Sequence, residues 1–260
     1  MYRVLNHRYF FTITVLFSSY LSASDTIKLA YSDVESYPFQ AGNGHQIANP
    51  PGLSVDVINN AANQLNIDID YMRLPGKRVL QYVKEGKVDG AFIFSYNSQR
   101  ARYAVYPMHQ GQPDNSKRIA TLAYYFYKIK GKPFMWDGSE VNGNYQKIIG
   151  ANLGFSIVNE LKKKALEVEE INSTAQLFGM LRTERLSAIA MQDSMADEFI
   201  KKNKWDDVEQ IQPPIMNKDY YLVFSHEFAQ SNPELVDQIW TTIDKTRESV
   251  ISQKRELYDK

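Results

Sequence analysis

The chain has 260 residues, 43% of them hydrophobic, and balances 30 basic against 30 acidic side chains. It lacks the basic excess that is typical of proteins that bind nucleic acids or anionic membranes. It has no cysteine, which excludes disulfides, thiol nucleophiles and cysteine-ligated zinc, and its four histidines leave little material for a metal site. We expect a folded chain that is stabilised by core burial, needs no cofactor or metal, and binds no nucleic acid.

Residues 1–24 have the layout of a secretory signal peptide. Arg3 and Arg8 form a basic start, Tyr9 to Phe17 is nearly all apolar, and small residues follow up to Ala23 and Ser24. The apolar run is well short of the ~20 residues that a membrane span needs, so we expect cleavage after Ala23 or Ser24 over a membrane anchor. The absence of a lipobox cysteine favours a freely diffusing exported protein.

The first half of the remaining chain alternates strand and helix patterns. Ile27–Tyr31 is a β-rich run, Leu53–Leu65 carries an apolar stripe at helical spacing, and Ile67–Met72 alternates apolar and polar residues. A second helix is predicted from Pro75 to Gly86 and a buried strand over Val88–Phe94. This β-α-β-α-β order predicts a parallel sheet flanked by helices.

The middle of the chain predicts a second α/β unit. It opens with a tyrosine-rich strand over Ile119–Ile129 and a polar loop from Lys130 to Asn144. Further strands are predicted over Ile148–Asn152 and Leu186–Met191, and helices from Ser156 to about Lys164, over Thr174–Thr183 and over Asp193–Lys202.

The last elements decide the architecture. Tyr220–Phe224 predicts one more strand, and Pro233 opens a long amphipathic helix. These two elements most simply return to complete the first unit, giving lobe 1 over residues 25–118 and 219–260 and lobe 2 over residues 119–218. Each lobe is expected to hold a mostly parallel sheet flanked by helices, with hinge crossings near Arg118–Leu122 and Ile215–Tyr220. Open α/β sheets bind ligands at the carboxyl ends of their strands, so a cleft between the lobes is the expected site.

Six segments, in this order, resemble the periplasmic amino-acid-type binding proteins of solute-binding protein family 3. They are Ile27 to Phe39 (IKLAYSDVESYPF), Pro51 to Leu65 (PGLSVDVINNAANQL), Gly86 to Gly90, Ser95–Arg100 with Tyr106-Pro107, Gly154-Phe155-Ser156, and Leu186 to Asp193, which is similar to a D-A-x-x-x-D strand end. The resemblance implies the type II periplasmic binding protein fold and a monomer that closes on an amino acid or organic acid. It also implies delivery to an ABC permease in the inner membrane, and no enzymatic activity.

The resemblance places Arg100 where a guanidinium clamps a ligand carboxylate, and a planar fork of donors suits that task. Ser95, at the end of the preceding strand, would supplement it. Gly154-Phe155-Ser156 would contribute from the opposite lobe, because a glycine turn at a helix start presents N–H groups to an anion. The alternative for Arg100, or for its neighbour Arg102, is a solvated helix start.

Asp193 occupies the position where the family's aspartate receives the ligand's ammonium, although an aspartate before a helix is equally well explained as an N-cap. Asp33 and Tyr37 belong to the loop that packs on the ligand side chain in this family, with Tyr37 the favoured contact. In the same loop, Phe39 is as readily explained as a core residue.

Several departures bear on the ligand. Phe92-Ile93-Phe94 stands where amino-acid binders often place small hydroxyl residues, and the loop Gln40–Asn49 is longer and more polar than in many relatives. The ligand is therefore either an amino acid, a larger molecule, or one without an α-amino group. Two other functions stay open: a dehydratase-like enzyme that uses Glu35, Asp33 or His45, and a ligand-sensing protein that does not serve transport.

Overall fold

The computed structural model describes residues 26–143 and 148–259, so the predicted signal peptide lies outside the described residues. The strands are β1 Thr26–Ser32, β2 Asp68–Leu74, β3 Gly90–Ser95, β4 Ala104–Val105, β5 Met108–His109, β6 Gln112–Pro113, β7 Ala120–Ile129, β8 Met135–Trp136, β9 Val141–Asn142, β10 Ile148–Asn152, β11 Glu167–Ile171, β12 Ala188–Gln192 and β13 Val208–Ser225. The helices are α1 Leu53–Leu65, α2 Gly76–Lys84, α3 Ile157–Lys163, α4 Thr174–Arg182, α5 Asp193–Asn203, α6 His226–Ser231 and α7 Pro233–Lys254. Within the described ranges, no helix combines the length and apolarity needed to cross a bilayer.

The main sheet joins two parallel triplets through an antiparallel pair. Its order is β11-β10-β12-β7-β13-β3-β1-β2, with β4 paired to β13. The triplets β2-β1-β3 and β11-β10-β12 are parallel, and the helices that connect their strands pack on the faces of the sheet. This is the α/β architecture with two parallel halves that the strand and helix patterns predict.

The two halves share one continuous backbone ladder, because both crossings are strands. β7 pairs with β12 through Tyr124 to Tyr127, and with β13 along its whole length. β13 has 18 residues and also pairs with β3 through Tyr220 to Phe224. Its pairing with β7 shifts register between Ile211 and Met216, where Pro213 and Pro214 cannot donate to a ladder.

The last helix packs against the first half of the sheet. α7 packs against α1, and the Trp240 indole N–H donates to Leu222 O on β13 at 2.8 Å. α1 begins after Gly52, whose φ of 117° suits glycine. A Cβ on Gly52 would lie 2.5 Å from Phe39 O, so this residue lets α1 pack closely on the loop that follows β1.

Four strands differ clearly from the prediction: β8, β9, β11 and β13. β11 was not predicted, and its sequence EVEEI leaves most side chains at least partly exposed, as an edge strand does. The loop after β7 holds the β8-β9 hairpin, which buries Trp136 and Val141 and was predicted as polar loop. β13 begins twelve residues before the predicted strand at Tyr220, because Pro213-Pro214 hides the extended pattern.

Candidate ligand-binding site

A small cavity lies where the parallel strands end and the crossing strands pass. Its volume is about 50 Å³, which is room for roughly four water molecules. The lining consists of Ser32 at the end of β1, Ser36 and Gln40 in the loop after it, Gly76 on α2, Phe92, Ile93 and Phe94 on β3, Arg100, Tyr124 on β7, Leu153 to Ser156 after β10, Gln192 on β12 and Tyr220 on β13. The carboxyl ends of β1, β3, β10 and β12 thus converge on one point, as open α/β sheets do at their binding sites.

Arg100 is held in a fixed orientation at this cavity. Its Nη1 donates to Ser95 O at 3.0 Å and to Ser95 Oγ at 3.3 Å, while its backbone N–H donates to Asn97 Oδ1 at 2.7 Å. The guanidinium carbon lies 5.3 Å from the centroid of the Phe94 ring. Across the cavity, Nη2 is 3.5 Å from Gly154 O. Arg100 therefore contacts both walls.

Arg100 is 8% exposed, and none of the described carboxylates forms an ion pair with it. A buried cation without a counter-charge costs several kcal/mol. Bound solute anions relieve that cost, and the planar guanidinium suits a carboxylate. The arrangement can therefore hold an acid.

A chain of neutral hydrogen bonds forms the wall opposite β3. Ser36 Oγ donates to Gln192 Oε1 at 2.5 Å, and Gln192 Nε2 donates to Tyr220 OH at 3.0 Å and to Tyr124 OH at 3.3 Å. Tyr220 OH in turn donates to Tyr124 OH at 2.9 Å. Burial raises the pKa of both tyrosines, so both hydroxyls stay uncharged at physiological pH.

One buried polar atom of the lining, Gln40 Nε2, has no hydrogen-bond partner among the described residues. The Ser156 hydroxyl lies close to the hydroxyls of Tyr124 and Tyr220. Gln40 is 2% exposed and is positioned by backbone bonds, since its N–H donates to Ser36 O at 2.8 Å and its carbonyl accepts from Ser36 N–H at 3.0 Å. A buried polar group without a partner costs about 1–3 kcal/mol, which a ligand oxygen would recover.

Part of the predicted residue set meets at the cavity. Arg100, Phe155 and Ser156 line it, and Ser95 accepts a hydrogen bond from the Arg100 guanidinium. The turn Gly154-Phe155-Ser156 was expected to offer free N–H groups. However, the Gly154 N–H donates to Glu170 Oε2 at 3.2 Å and the Phe155 N–H to Asn152 O at 3.1 Å. The N–H groups of Gly154 and Phe155 are therefore already used within the protein.

Asp193 does not line the cavity. Its carboxylate accepts the Ser194 N–H at 2.7 Å and lies near Tyr127 and Asp197, and burial raises its pKa. The alternation of β12 explains this placement. Ile189 and Met191 pack with Tyr127, and the next residue of that parity is Asp193, whereas Gln192 enters the cavity.

Asp33 and Tyr37 also lie outside the cavity lining. The Asp33 N–H donates to Leu74 O at 2.9 Å and its carbonyl accepts from Gly44 N–H at 2.8 Å. The Tyr37 hydroxyl donates to Tyr258 O, and the Tyr37 ring lines a separate groove of about 250 Å³ with Glu35 and Glu198. Both residues shape the loop that carries Ser36 and Gln40.

The candidate acids and bases of the enzyme alternative have structural contacts. The Glu35 carboxylate accepts the Gly42 N–H, and the His45 ring lies 3.2 Å from Arg73 O. Neither lines the cavity, and the described lining holds no Asp, Glu, His or Lys. Across the described residues, no three His, Asp or Glu side chains gather in a way that could hold a metal ion.

The sequence reasoning missed Gln192, Tyr124 and Tyr220. A signal for Gln192 was present: counting D-A-x-x-x-D from Ser187-Ala188 places the last position at Gln192, one residue before Asp193. The tyrosines had no such signal, because the run ATLAYYFYKI does not say which ring faces the cavity until its pairing register is known.

Comparisons with known proteins place the fold. No protein-family model matches the sequence, and no curated protein matches it. Three solved structures with 14–16% sequence identity are similar over most of their length. The GluR0 ligand-binding core from Nostoc punctiforme in complex with L-glutamate has a TM-score of 0.70, 14% identity, and coverage of 90% of this chain and 100% of that chain.

The other two structures give similar values. The substrate-binding protein of an amino acid ABC transporter has a TM-score of 0.67 and 16% identity, with 88% of this chain and 98% of that chain covered. An ancestral arginine-binding protein bound to arginine has a TM-score of 0.70 and 15% identity, with 90% and 98% covered. The chain therefore has the two-lobed α/β fold of the periplasmic binding proteins.

Proposed function

We propose that the chain is a solute-binding protein that captures a small carboxylate, an amino acid or a related organic acid, between its two lobes. The observation that carries the proposal is Arg100: it is buried, held by Ser95, and free of any described carboxylate, with Nη2 close to Gly154 on the opposite wall. A ligand anion would satisfy this cation and would contact both walls.

The mechanism is closure about β7 and β13. We assign residues 25–118 and 219–260 to one lobe and residues 119–218 to the other, with hinges where β7 and β13 cross. Contacts from Ser36 to Gln192 and from Arg100 to Gly154 connect the lobes. A ligand that touches both lobes favours the closed state, because it gains contacts there that the open state cannot offer.

We further propose that the protein belongs to solute-binding protein family 3, acts in the periplasm as a monomer, and hands its ligand to an ABC permease without transforming it. The fold supports this assignment, since one similar structure is the substrate-binding protein of an amino acid ABC transporter. The lining supports binding over catalysis: the described cavity wall offers no pair of groups for acid–base chemistry.

The test measures the binding of amino acids and organic acids to purified protein, first by thermal shift and then by calorimetry. Replacing Arg100→Ala should weaken a carboxylate ligand roughly 100-fold, since a hydrogen bond to a charged group contributes about 1.5–3 kcal/mol. Arg102→Ala is the matched control: Arg102 lies in the same turn but is exposed, so its loss should leave the affinity unchanged. Equal affinities in Arg100→Ala and the wild type would contradict the proposal.

A further inference from the structure

The cavity holds a cation without an anion. Arg100 is the one formally charged residue in the described lining. A zwitterion has an ammonium as well as a carboxylate, and an ammonium carries three donors and no acceptor. Binding a zwitterion in this cavity therefore requires a negative group or free acceptor atoms, besides Arg100.

The acidic side chains that contact residues of the cavity walls, or adjoin them in the sequence, lie outside the described lining. Glu170 accepts from Gly154 N–H at 3.2 Å and from Lys162 Nζ at 3.0 Å. Glu160 pairs with Lys218 at 3.3 Å and with Lys163 at 3.1 Å.

Three further acids adjoin lining residues in the sequence, and one of them, Asp33, lies near Arg73. The Glu35 carboxylate accepts the Gly42 N–H, and the Asp193 carboxylate lies near Tyr127. Outside the described residues, the sequence contains one more acidic side chain, Asp25. The cavity is therefore positive in character.

The neutral polar atoms of the lining also favour a ligand that accepts hydrogen bonds over one that donates them. The Gln192 amide oxygen already accepts from Ser36, and the amide nitrogen donates to both tyrosine hydroxyls. Gln40 Nε2, a buried donor, has no partner among the described residues. An entering ammonium would meet neutral acceptors, such as the Gly154 carbonyl, but no carboxylate in the described lining, and a desolvated charge without a counter-charge is strongly unfavourable.

We propose that the cavity selects acids without an ammonium group, such as hydroxy and keto acids, over amino acids of the same carbon skeleton, with Gln192 as a specificity-determining residue. This inference rests on the proposed function as a carboxylate-binding protein. Arg100 takes the carboxylate, and Gln40 with the Gln192–tyrosine wall faces the uncharged oxygens of the ligand.

The test compares matched acids on the wild-type protein by calorimetry. The sets are lactate and pyruvate against alanine, malate and oxaloacetate against aspartate, and phenyllactate and phenylpyruvate against phenylalanine. In the set that fits the cavity, the ammonium-free acids should bind roughly 100-fold more tightly, because the amino acid leaves a buried charge unpaired. Equal or tighter binding of the amino acid overturns the inference and leaves the proposed function standing. If no acid binds at millimolar concentration, the proposed function fails, and the inference fails with it.

Variants at Gln192 locate the selectivity. Gln192→Glu supplies a carboxylate of the same shape and should move the ratio of dissociation constants at least tenfold toward the amino acid. Gln192→Leu removes the amide without adding charge, and should weaken both members of a pair with little change in their ratio. An unchanged ratio in folded Gln192→Glu protein contradicts the role of Gln192. If this variant does not fold, the wild-type comparison still decides the selectivity.

Discussion

Arg73 organises the loop that carries Ser36 and Gln40 to the cavity. It is 2% exposed, and its guanidinium donates to four backbone carbonyls, those of Ser32, Ala41, Gly42 and Gln46. Its guanidinium carbon also lies 5.1 Å from the centroid of the Tyr31 ring. We predict that Arg73→Met both destabilises the protein and weakens ligand binding.

The expected size follows from these contacts. Four hydrogen bonds from a charged donor are worth about 6–12 kcal/mol in total at 1.5–3 kcal/mol each. Removing the buried charge recovers several kcal/mol of desolvation, so the net loss should be about 3–5 kcal/mol, as for other buried charged partners. For a chain of this length, that loss lowers the Tm by about 6–20 °C.

Urea denaturation measures the loss in the free energy of unfolding, and calorimetry measures ligand affinity under native conditions. The matched control is Arg78→Met on α2, because Arg78 is exposed and should change neither quantity. Arg73→Lys should show a partial loss, since one ammonium cannot reach all four carbonyls. If Arg73→Met lowers the free energy of unfolding by less than about 1 kcal/mol relative to the wild type, the reasoning that these bonds fix the loop is refuted.

Two smaller effects are expected. The Tyr258 hydroxyl donates to Asp56 Oδ2 at 2.6 Å and accepts from the Gly52 N–H at 2.9 Å, so Tyr258→Phe should lower the free energy of unfolding by about 1–3 kcal/mol in urea. Burial raises the pKa of Asp193, so the ionised carboxylate destabilises the folded state above that pKa. This destabilisation is absent at low pH, where the carboxyl group is protonated in both the folded and the unfolded state. Asp193→Asn should therefore gain stability relative to the wild type near neutral pH, and this gain should shrink as the pH falls through the folded-state pKa. A gain that grows on acidification would contradict that sign.

The elements with strong periodicity could be predicted from the sequence. α1 spans Leu53–Leu65, as its apolar stripe predicts, and β7 and β10 agree with their predictions to within a residue. β11 could not be recognised, because an edge strand such as Glu167–Ile171 needs an apolar face on one side only. The full length of β13 was also hidden, since its ladder depends on β7, which lies far away in the sequence.

The site was predictable where chemistry is tied to a motif, and not where it depends on strand register. Arg100 follows β3 in a recognisable stretch, and the structure places it in the cavity lining. Gln192 and Asp193 are neighbours in the sequence, yet the two-residue repeat of a strand sends only Gln192 to the cavity. Tyr124 and Tyr220 meet there because β7 and β13 are paired, a contact that local sequence does not encode.

The three buried arginines show why Arg100 is the one that we propose as the binding residue. Arg73 donates hydrogen bonds to four backbone carbonyls, and Arg247 donates to Ser116 O, to Arg118 O and to Glu248. Arg100 donates to Ser95 O and Ser95 Oγ, makes a long contact to Gly154 O, and lies close to the Tyr106 hydroxyl, and it is the one of the three that lines the cavity. Since all three are similarly buried, it is the position at the cavity that separates Arg100 from the other two.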